Sequence, residues 1–365
     1  MPELPLPLLL TRRTLLGATL GMGALAMAPR PARALPPRTL VFPRDHGAHP
    51  DFRTEWWYIT GHARAGDGRE FGFQLTFFRS RVDATQALKS GFAARQLVFA
   101  HAAVTDVRGR RLWHDQRIAR AGFGIAQADE DDTRVRLRDW SLQRRPDGSY
   151  AAQLPAGGFS LQLEFAPTQP LLLQGRAGLS RKGPDEKQAS YYYSQPQLAA
   201  RGRLGLQDGG ELELAGRAWL DHEWSQELLH PEAAGWDWIG MNLEDGGALT
   251  AFRLRRPDGT AVWDGGSFRA PGREPESFRP GQTEFLARRR WTSPLSGASY
   301  PVEWAVRTPA GPYTVRAVID NQELDSRAST GAFYWEGLSD LLDGDGRRVG
   351  RGYLEMTGYA QRLRL

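Results

Sequence analysis

The feature that most constrains this chain is a two-residue alternation of apolar and polar side chains. It runs without a slip through Phe159-Ser160-Leu161-Gln162-Leu163-Glu164-Phe165, directly after the glycine pair Gly157-Gly158. Phe71-Gly72-Phe73-Gln74-Leu75-Thr76-Phe77, Glu211-Leu212-Glu213-Leu214 and Pro301-Val302-Glu303-Trp304-Ala305-Val306 repeat it. A period of two marks strands with one buried face. Between the runs stand turn signals, among them Asp67-Gly68, Pro146-Asp147-Gly148, Asp245-Gly246, Pro257-Asp258-Gly259 and Asp343-Gly344-Asp345-Gly346. No stretch has the helical period a parallel sheet would need for its crossovers, so the chain is expected to be all-β, built of antiparallel barrels or sandwiches.

The first 34 residues stand apart from this pattern. Arg12-Arg13 precedes an apolar run from Leu15 to Met27, and Ala32-Arg33-Ala34 offers small residues for cleavage, which together read as a twin-arginine export signal. The run is broken by Gly17, Gly21 and Gly23 and is shorter than the roughly 20 apolar residues of a membrane span. The expected destination is the periplasm or beyond, with the twin-arginine translocase as a partner during export. The remaining chain divides into two strand-rich blocks, expected as domains over 38–228 and 229–365.

Composition excludes several kinds of chemistry. With no cysteine there is no disulfide, thiolate nucleophile or sulfur-ligated metal. Arginine outnumbers lysine 44 to 3, but removing residues 1–34 lowers the net charge from +5 to +2 and the arginines form no stripe, so no nucleic-acid partner is expected. The 12 tryptophans instead cluster with tyrosines. In Trp56-Trp57-Tyr58, strand parity places Trp56 and Tyr58 on one face and Trp57 on the other, one belonging to a core and one to a cavity or domain interface. Aromatics of this kind fill a large β core, and where they line a cavity they suit a long apolar ligand.

The densest polar stretch is Trp219-Leu220-Asp221-His222-Glu223-Trp224-Ser225. Gln226 stands where an HExxH zinc motif would need its second histidine, so no metal is expected. The chain has no G-x-S-x-G elbow, and Leu354 occupies the last ligand position of an EF-hand loop starting at Asp343, which is better read as a hairpin turn. What remains is acid/base work by a carboxyl group. Parity separates Trp219, Asp221 and Glu223 from Leu220, His222 and Trp224, which argues against an Asp221-His222 dyad. The simpler picture puts Asp221 inside with Trp219 and leaves His222 for a structural bond. A carboxyl group desolvated among aromatics stays protonated to higher pH and can act as a general acid, while an indole face stabilises a nearby cation. Glu55, just before Trp56, is a second acid that either partners Asp221 or anchors the strand start, and Asp237 is a third. The structural alternative has Asp221 and Glu223 capping turns or pairing with arginines such as Arg217.

Several segments together resemble the AttH-like proteins, the lipocalin-like superfamily that includes carotenoid 1,2-hydratases. They are Asp51–Tyr58, Phe73–Arg79, Tyr191–Pro196, Trp219–Ser225, Gly235–Gly240, Tyr334–Gly337 and Gly352–Glu355. The resemblance spans about residues 43–360 and implies two lipocalin-like (calycin) barrels packed together with a ligand site near their junction. In the hydratase branch the aspartate of an aromatic-x-Asp motif protonates an isolated alkene and water captures the carbocation, with no cofactor; Trp219-Leu220-Asp221 fits that motif. Hydratases carry tyrosine where Trp219 stands and a His-x-Trp element where this chain has Tyr191-Tyr192-Tyr193.

The expected catalytic residues are thus Asp221, Trp219, Glu55 and Glu223, with Trp56, Tyr58, Tyr191, Tyr193, Trp224, Trp236, Trp238 and Trp335 as ligand-binding aromatics, no metal and no cofactor. The expected function is binding of an extended apolar molecule such as a carotenoid, isoprenoid or lipid, with hydratase chemistry at Asp221. The alternative is a non-catalytic periplasmic carrier or accessory protein, partnered with an envelope transporter.

Overall fold

The computed structural model describes residues 34–207, 209–227 and 229–363; the export signal read over 1–34 lies, but for Ala34, outside the described residues. The alternating segments form strands throughout, and among the described residues the only helical pieces are two single 3-10 turns, Arg44–His46 and Asp83–Thr85. Every strand pairing is antiparallel. Turn chemistry sets the connections. Gly148 and Gly259 have positive φ, and the aspartate before each accepts a hydrogen bond from a backbone N–H two residues on, in Ser149 and Thr260 (2.9 Å each). The Asp343–Gly346 segment is a turn joining the paired strands Phe333–Leu342 and Arg348–Met356.

Two sheets result, the first from strands within 54–227 and the second from strands within 235–356. At the centre of the first lie Glu70–Arg81, Thr54–Ala65, Gly210–Glu227 and Ala189–Leu206, side by side in that order. Its edges approach each other, Gln96–Asp106 and Arg111–Arg120 touching Ala126–Ala128 and Arg134–Leu137, so the sheet is a nearly closed barrel. At the centre of the second lie Ala248–Arg255, Gly235–Leu243, Arg348–Met356 and Phe333–Leu342.

Parity sorts the buried apolar side chains into three main cores, with a small fourth cluster of Ala103, Leu324 and Tyr334. Trp57, Ile59, Leu75, Phe77, Leu220 and Trp224 fill the first barrel. Ile239, Met241, Trp304, Trp335 and Leu354 fill the space enclosed by the second sheet. The third core lies between the sheets, where Tyr58 and Trp219 of the first meet Trp238, Phe252, Leu338 and Tyr353 of the second. Each central strand is therefore apolar on both faces, which the sequence shows as the doublets Trp56-Trp57 and Trp335 beside Tyr334. Burial of this much aromatic surface, at roughly 25 cal/mol per Å2, is what holds a cysteine-free chain together.

Candidate acid site between the two sheets

The register of the central strands sets the site. Asp221 lies directly opposite Tyr58 on one side and Ser194 on the other, and Glu223 opposite Trp56 and Tyr192. Residues opposite one another share a face, so Ser194, Asp221 and Tyr58 form one transverse row and Tyr192, Glu223 and Trp56 the next. This face looks toward the second sheet, so Asp221 and Trp219 are not inside the barrel as the simplest parity picture had them. The barrel closes around the opposite face, and the Asp221 face is covered by Gly235–Leu243 and its neighbours instead. In the second sheet Trp238 lies opposite Phe252 and Glu355, and Glu355 opposite Glu336, giving a matching row. Trp238 stands edge-on to both Tyr58 (5.5 Å between centroids) and Trp219 (6.4 Å).

Asp221 is 3% exposed, and its Oδ1 accepts hydrogen bonds from Ser194 Oγ (2.5 Å) and Trp219 Nε1 (2.8 Å). Burial pushes its carboxyl up to about 7; hydrogen bonds from Ser194, Trp219 and Tyr192 oppose that rise, and the charge of Glu223 adds to it. Glu223 itself pairs with Lys182 Nζ (2.9 Å) and accepts from Ser190 Oγ. The Lys182 ammonium is buried and lies over the rings of Phe252 (4.3 Å) and Tyr192 (4.8 Å). On the far wall burial pushes both Glu336 and Glu355 up, Glu336 further because Glu355 is beside it and Glu355 because Asp221 and Glu223 face it. The Tyr58 hydroxyl and Glu336 Oε1 are buried beside each other without a hydrogen bond of good geometry. Trp56, Trp236 and Glu355 are only half-buried, so they mark the solvent edge of the packed face between the sheets.

The same strands carry a different cluster on their inner face. Glu55 Oε1 receives His49 Nδ1 (2.7 Å) and His222 Nε2 (3.0 Å), while Oε2 receives Arg79 Nε (2.7 Å) and the His49 amide (2.9 Å). Burial pushes the Glu55 carboxyl up, but the bonds from His222 and His49 and the charge of Arg79 outweigh it and hold the group well below the usual carboxylate range. His49 Nε2 faces Asp45 Oδ1 (3.0 Å), and Trp224 stacks on the His49 ring at 3.8 Å. The Tyr193 hydroxyl sits between His222 Nδ1 (3.2 Å) and His46 Nδ1 (2.7 Å). Burial lowers the His222 ring and so favours its neutral form, with the Nε2 proton on Glu55 and Nδ1 accepting from Tyr193.

His49, Glu55 and His222 offer ligand atoms within 4.8 Å of one another, a grouping the histidine spacing did not reveal. Their chemistry does not suit an ion. The facing ring nitrogens direct protons, not lone pairs, at Glu55, and the carboxylate already carries a guanidinium on its other oxygen. The cluster pins residues 45–49 across the barrel, helped by Trp57 Nε1 donating to His46 O (3.0 Å).

Of the residues singled out from sequence, the structure therefore brings together Asp221, Trp219, Glu223, Trp56, Tyr58, Trp236 and Trp238. Glu55 is not beside Asp221: odd positions of Thr54–Ala65 point into the barrel. The same parity places Tyr191, Tyr193 and Trp224 inside the barrel, and it is Tyr192, accepting from Trp238 Nε1 at 3.3 Å, that faces the second sheet. Trp335 is in the second core with Nε1 on Asp320 O (2.8 Å), and its neighbours Tyr334 and Glu336 take the face toward the first sheet, where the Tyr334 hydroxyl meets His101 Nδ1 (2.7 Å). Asp237 is buried there too, bound to Arg253 Nε (2.7 Å) and Tyr359 Oη (2.8 Å). Sequence reasoning missed Lys182, Tyr192, Ser194, Glu336 and Glu355. Parity applied to Tyr334-Trp335-Glu336 and Tyr353-Leu354-Glu355 was the available signal for the two glutamates; Lys182, in a loop, had none.

Comparison with known proteins agrees with this architecture. The crystal structure of an AttH protein from Nitrosomonas europaea shares 46% identity with this chain, covers 90% of it and 99% of its own length, and superposes with a TM-score of 0.84. Kievitone hydratase from Nectria haematococca has the same fold at 13% identity, with 88% of this chain and 94% of that one covered and a TM-score of 0.69. CghA in complex with Sch210972 is more distant, at 14% identity and TM-score 0.52 over 83% of this chain and 88% of the other. Curated protein sequences give no match. The AttH-like family model matches residues 33–359, nearly the whole described chain, and with the lipocalin-like double sheet in hand this protein belongs to the AttH-like family.

Proposed function

We propose that the cleft between the sheets binds an extended apolar molecule and hydrates one of its double bonds, with Asp221 as the acid. The observation that carries this reading is Asp221 itself, a desolvated carboxyl among indoles and phenols, protonated to about pH 7 and oriented through one oxygen by Ser194 and Trp219. Its proton passes to one alkene carbon, and the adjacent carbon becomes a carbocation facing the rings of Trp219, Trp238 and Trp56. A water molecule adds there, and its proton goes to the Glu336–Glu355 pair on the opposite wall, so the sum is alkene plus water giving alcohol. Return of that proton to Asp221 through solvent completes the cycle without a cofactor. That the fold can house a hydratase is supported by its likeness to kievitone hydratase. The Arg12-Arg13 signal supports an exported, periplasmic or secreted protein.

The test is to offer lycopene and squalene, two acyclic isoprenoid polyenes, in oxygen-18 water. Wild type is expected to retain a polyene in native mass spectrometry and to yield a product carrying one added heavy-oxygen water, whereas Asp221→Asn retains the ligand and yields none. Turnover by the variant equal to wild type sinks the acid role. Retention without turnover by either points to a carrier, and absence of any retained apolar ligand from these or from a lipid extract sinks both readings. An Arg12→Lys/Arg13→Lys precursor that still reaches the periplasm would overturn the export route.

A further inference from the structure

A second recess lies on the same sheet face as Asp221, about four residues along the strand, or about 13 Å at roughly 3.3 Å per residue. It has a volume near 490 Å3, and its charged walls are Arg64, Arg217, Arg348 and Arg351 against Glu70 and Glu244. Trp219 and Thr60, both buried, occupy the strand positions between the recess and the acid cleft, so the two are separate. Ala63, Ala215 and Gly216 also line it. Gly216 is required there because a Cβ would stand 1.9 Å from the His62 carbonyl oxygen.

The charges in this recess do not cancel. Glu70 is shared by Arg64 (2.5 Å) and Arg351 (3.2 Å), Glu244 takes Arg348 (2.9 Å), and Asp340 beneath serves Arg351 (2.6 Å) and Arg348 (3.9 Å). Arg217 has only the Gln197 side-chain oxygen (3.1 Å) and the Leu243 carbonyl (3.4 Å), so among the described residues four guanidinium groups meet three carboxylates. Directly across the strand pair from Arg217 stands His62, whose Nδ1 is buried and has no hydrogen-bond partner. Burial pushes the His62 ring down to about 4, and Arg351, Arg217 and Arg348 push it further than Glu70 can offset. A neutral imidazole can direct an Nδ1 proton at a guest while the guanidinium forks meet planar or tetrahedral oxygens.

We infer that this recess is a binding site for an oxyanion, a phosphate or carboxylate group held by Arg217, Arg351 and His62. The inference stands apart from the hydration reading, because none of these residues touches the acid cleft.

Calorimetry on the mature chain at pH 7.5 and low salt tests it, with inorganic phosphate in one arm and monomeric lauroyl lysophosphatidate in the other. Saturable binding is expected, weakened about tenfold or more by Arg217→Gln, the size of one charge-assisted hydrogen bond. The His62 ring-proton resonance is expected to shift on binding and its titration to move up from near 4. Equal affinity in both arms identifies a free anion as the source, and tighter binding of the lysophosphatidate that is also lost in Arg217→Gln identifies a headgroup. Arg217 is exposed, so the variant is expected to fold; a circular dichroism melt superposing on wild type verifies this. No saturable binding of either probe to about 10 mM, or binding that ignores Arg217→Gln and leaves His62 unmoved, overturns the site.

Discussion

Asp221 and His222 are chain neighbours whose side chains serve different chambers. His222 Nε2 meets Glu55 Oε1 at 3.0 Å inside the first barrel, while Asp221 Oδ1 meets Trp219 Nε1 at 2.8 Å between the sheets. One strand thus divides a fully neutralised, bonded carboxylate from a carboxyl held protonated. Nothing but the pleat separates the two environments.

Replacing Glu55 by glutamine removes the charge that balances Arg79 and, if the amide oxygen stays with His49 and His222, turns an amide N–H2 donor toward the Arg79 guanidinium. Breaking a buried pair by one partner costs about 3–5 kcal/mol. Chemical unfolding followed by tryptophan fluorescence is expected to show a loss of that order, with the acid cleft still able to retain ligand in the fraction that is folded. A change below about 1 kcal/mol would show that the cluster does not pin the barrel.

Asp221→Asn is expected to stabilise the protein at pH 8. Asp221 titrates near 7 in the folded chain but near its ordinary value of about 4 when unfolded. Stability contributed by the protonated form is therefore complete below about pH 4 and lost as pH rises through 7. The amide keeps an oxygen for Ser194 and Trp219 and never ionises, so the gain at pH 8 is up to about 4 kcal/mol and vanishes near pH 4. Thermal melts of both proteins across that range check it.

The acid side has the opposite sign. Burial pushes the rings of His46 and His101 down to about 3, and Glu55 is held low by its partners. For the histidines the unfolded chain takes up protons from about pH 6.5 downward and the folded one does not; for Glu55 the same begins near 4.5. The stability these three groups contribute is expected to be full above about pH 6.5 and to fall progressively below it, against the Asp221 contribution, which grows over the same range. An acid titration by near-ultraviolet circular dichroism should show cooperative unfolding well before the surface carboxylates finish titrating, and a structure persisting to pH 2 would contradict these placements.

Lys182→Met leaves Glu223 buried beside Asp221 without its cation. Stability is expected to fall by about 3–5 kcal/mol, and the Asp221 transition to move to higher pH because its anionic neighbour is no longer screened. Carbon-13 NMR of the aspartate side chains, or the alkaline limb of turnover, reads that movement; an unchanged transition would mean that Glu223 does not act on Asp221.

The division of labour between sequence and structure follows one physical line. Alternation, Asp-Gly turns and the absence of helical periods were enough for an all-β chain, because strand formation and turn geometry are local properties of backbone and side chain. Parity likewise separated Asp221 from His222 and Trp56 from Trp57 before any contact was known. What parity cannot do is say which face is closed by the barrel and which by a second sheet, since both are apolar here. That assignment moved Asp221 out of the barrel and into the cleft, withdrew Glu55, Tyr191, Tyr193, Trp224 and Trp335 to interior positions, and brought in Tyr192, Glu336, Glu355 and Lys182. The protonation of Asp221 was equally beyond the sequence, because desolvation depends on the second sheet, from Trp238 and Phe252 to Leu338 and Tyr353, being folded over that face.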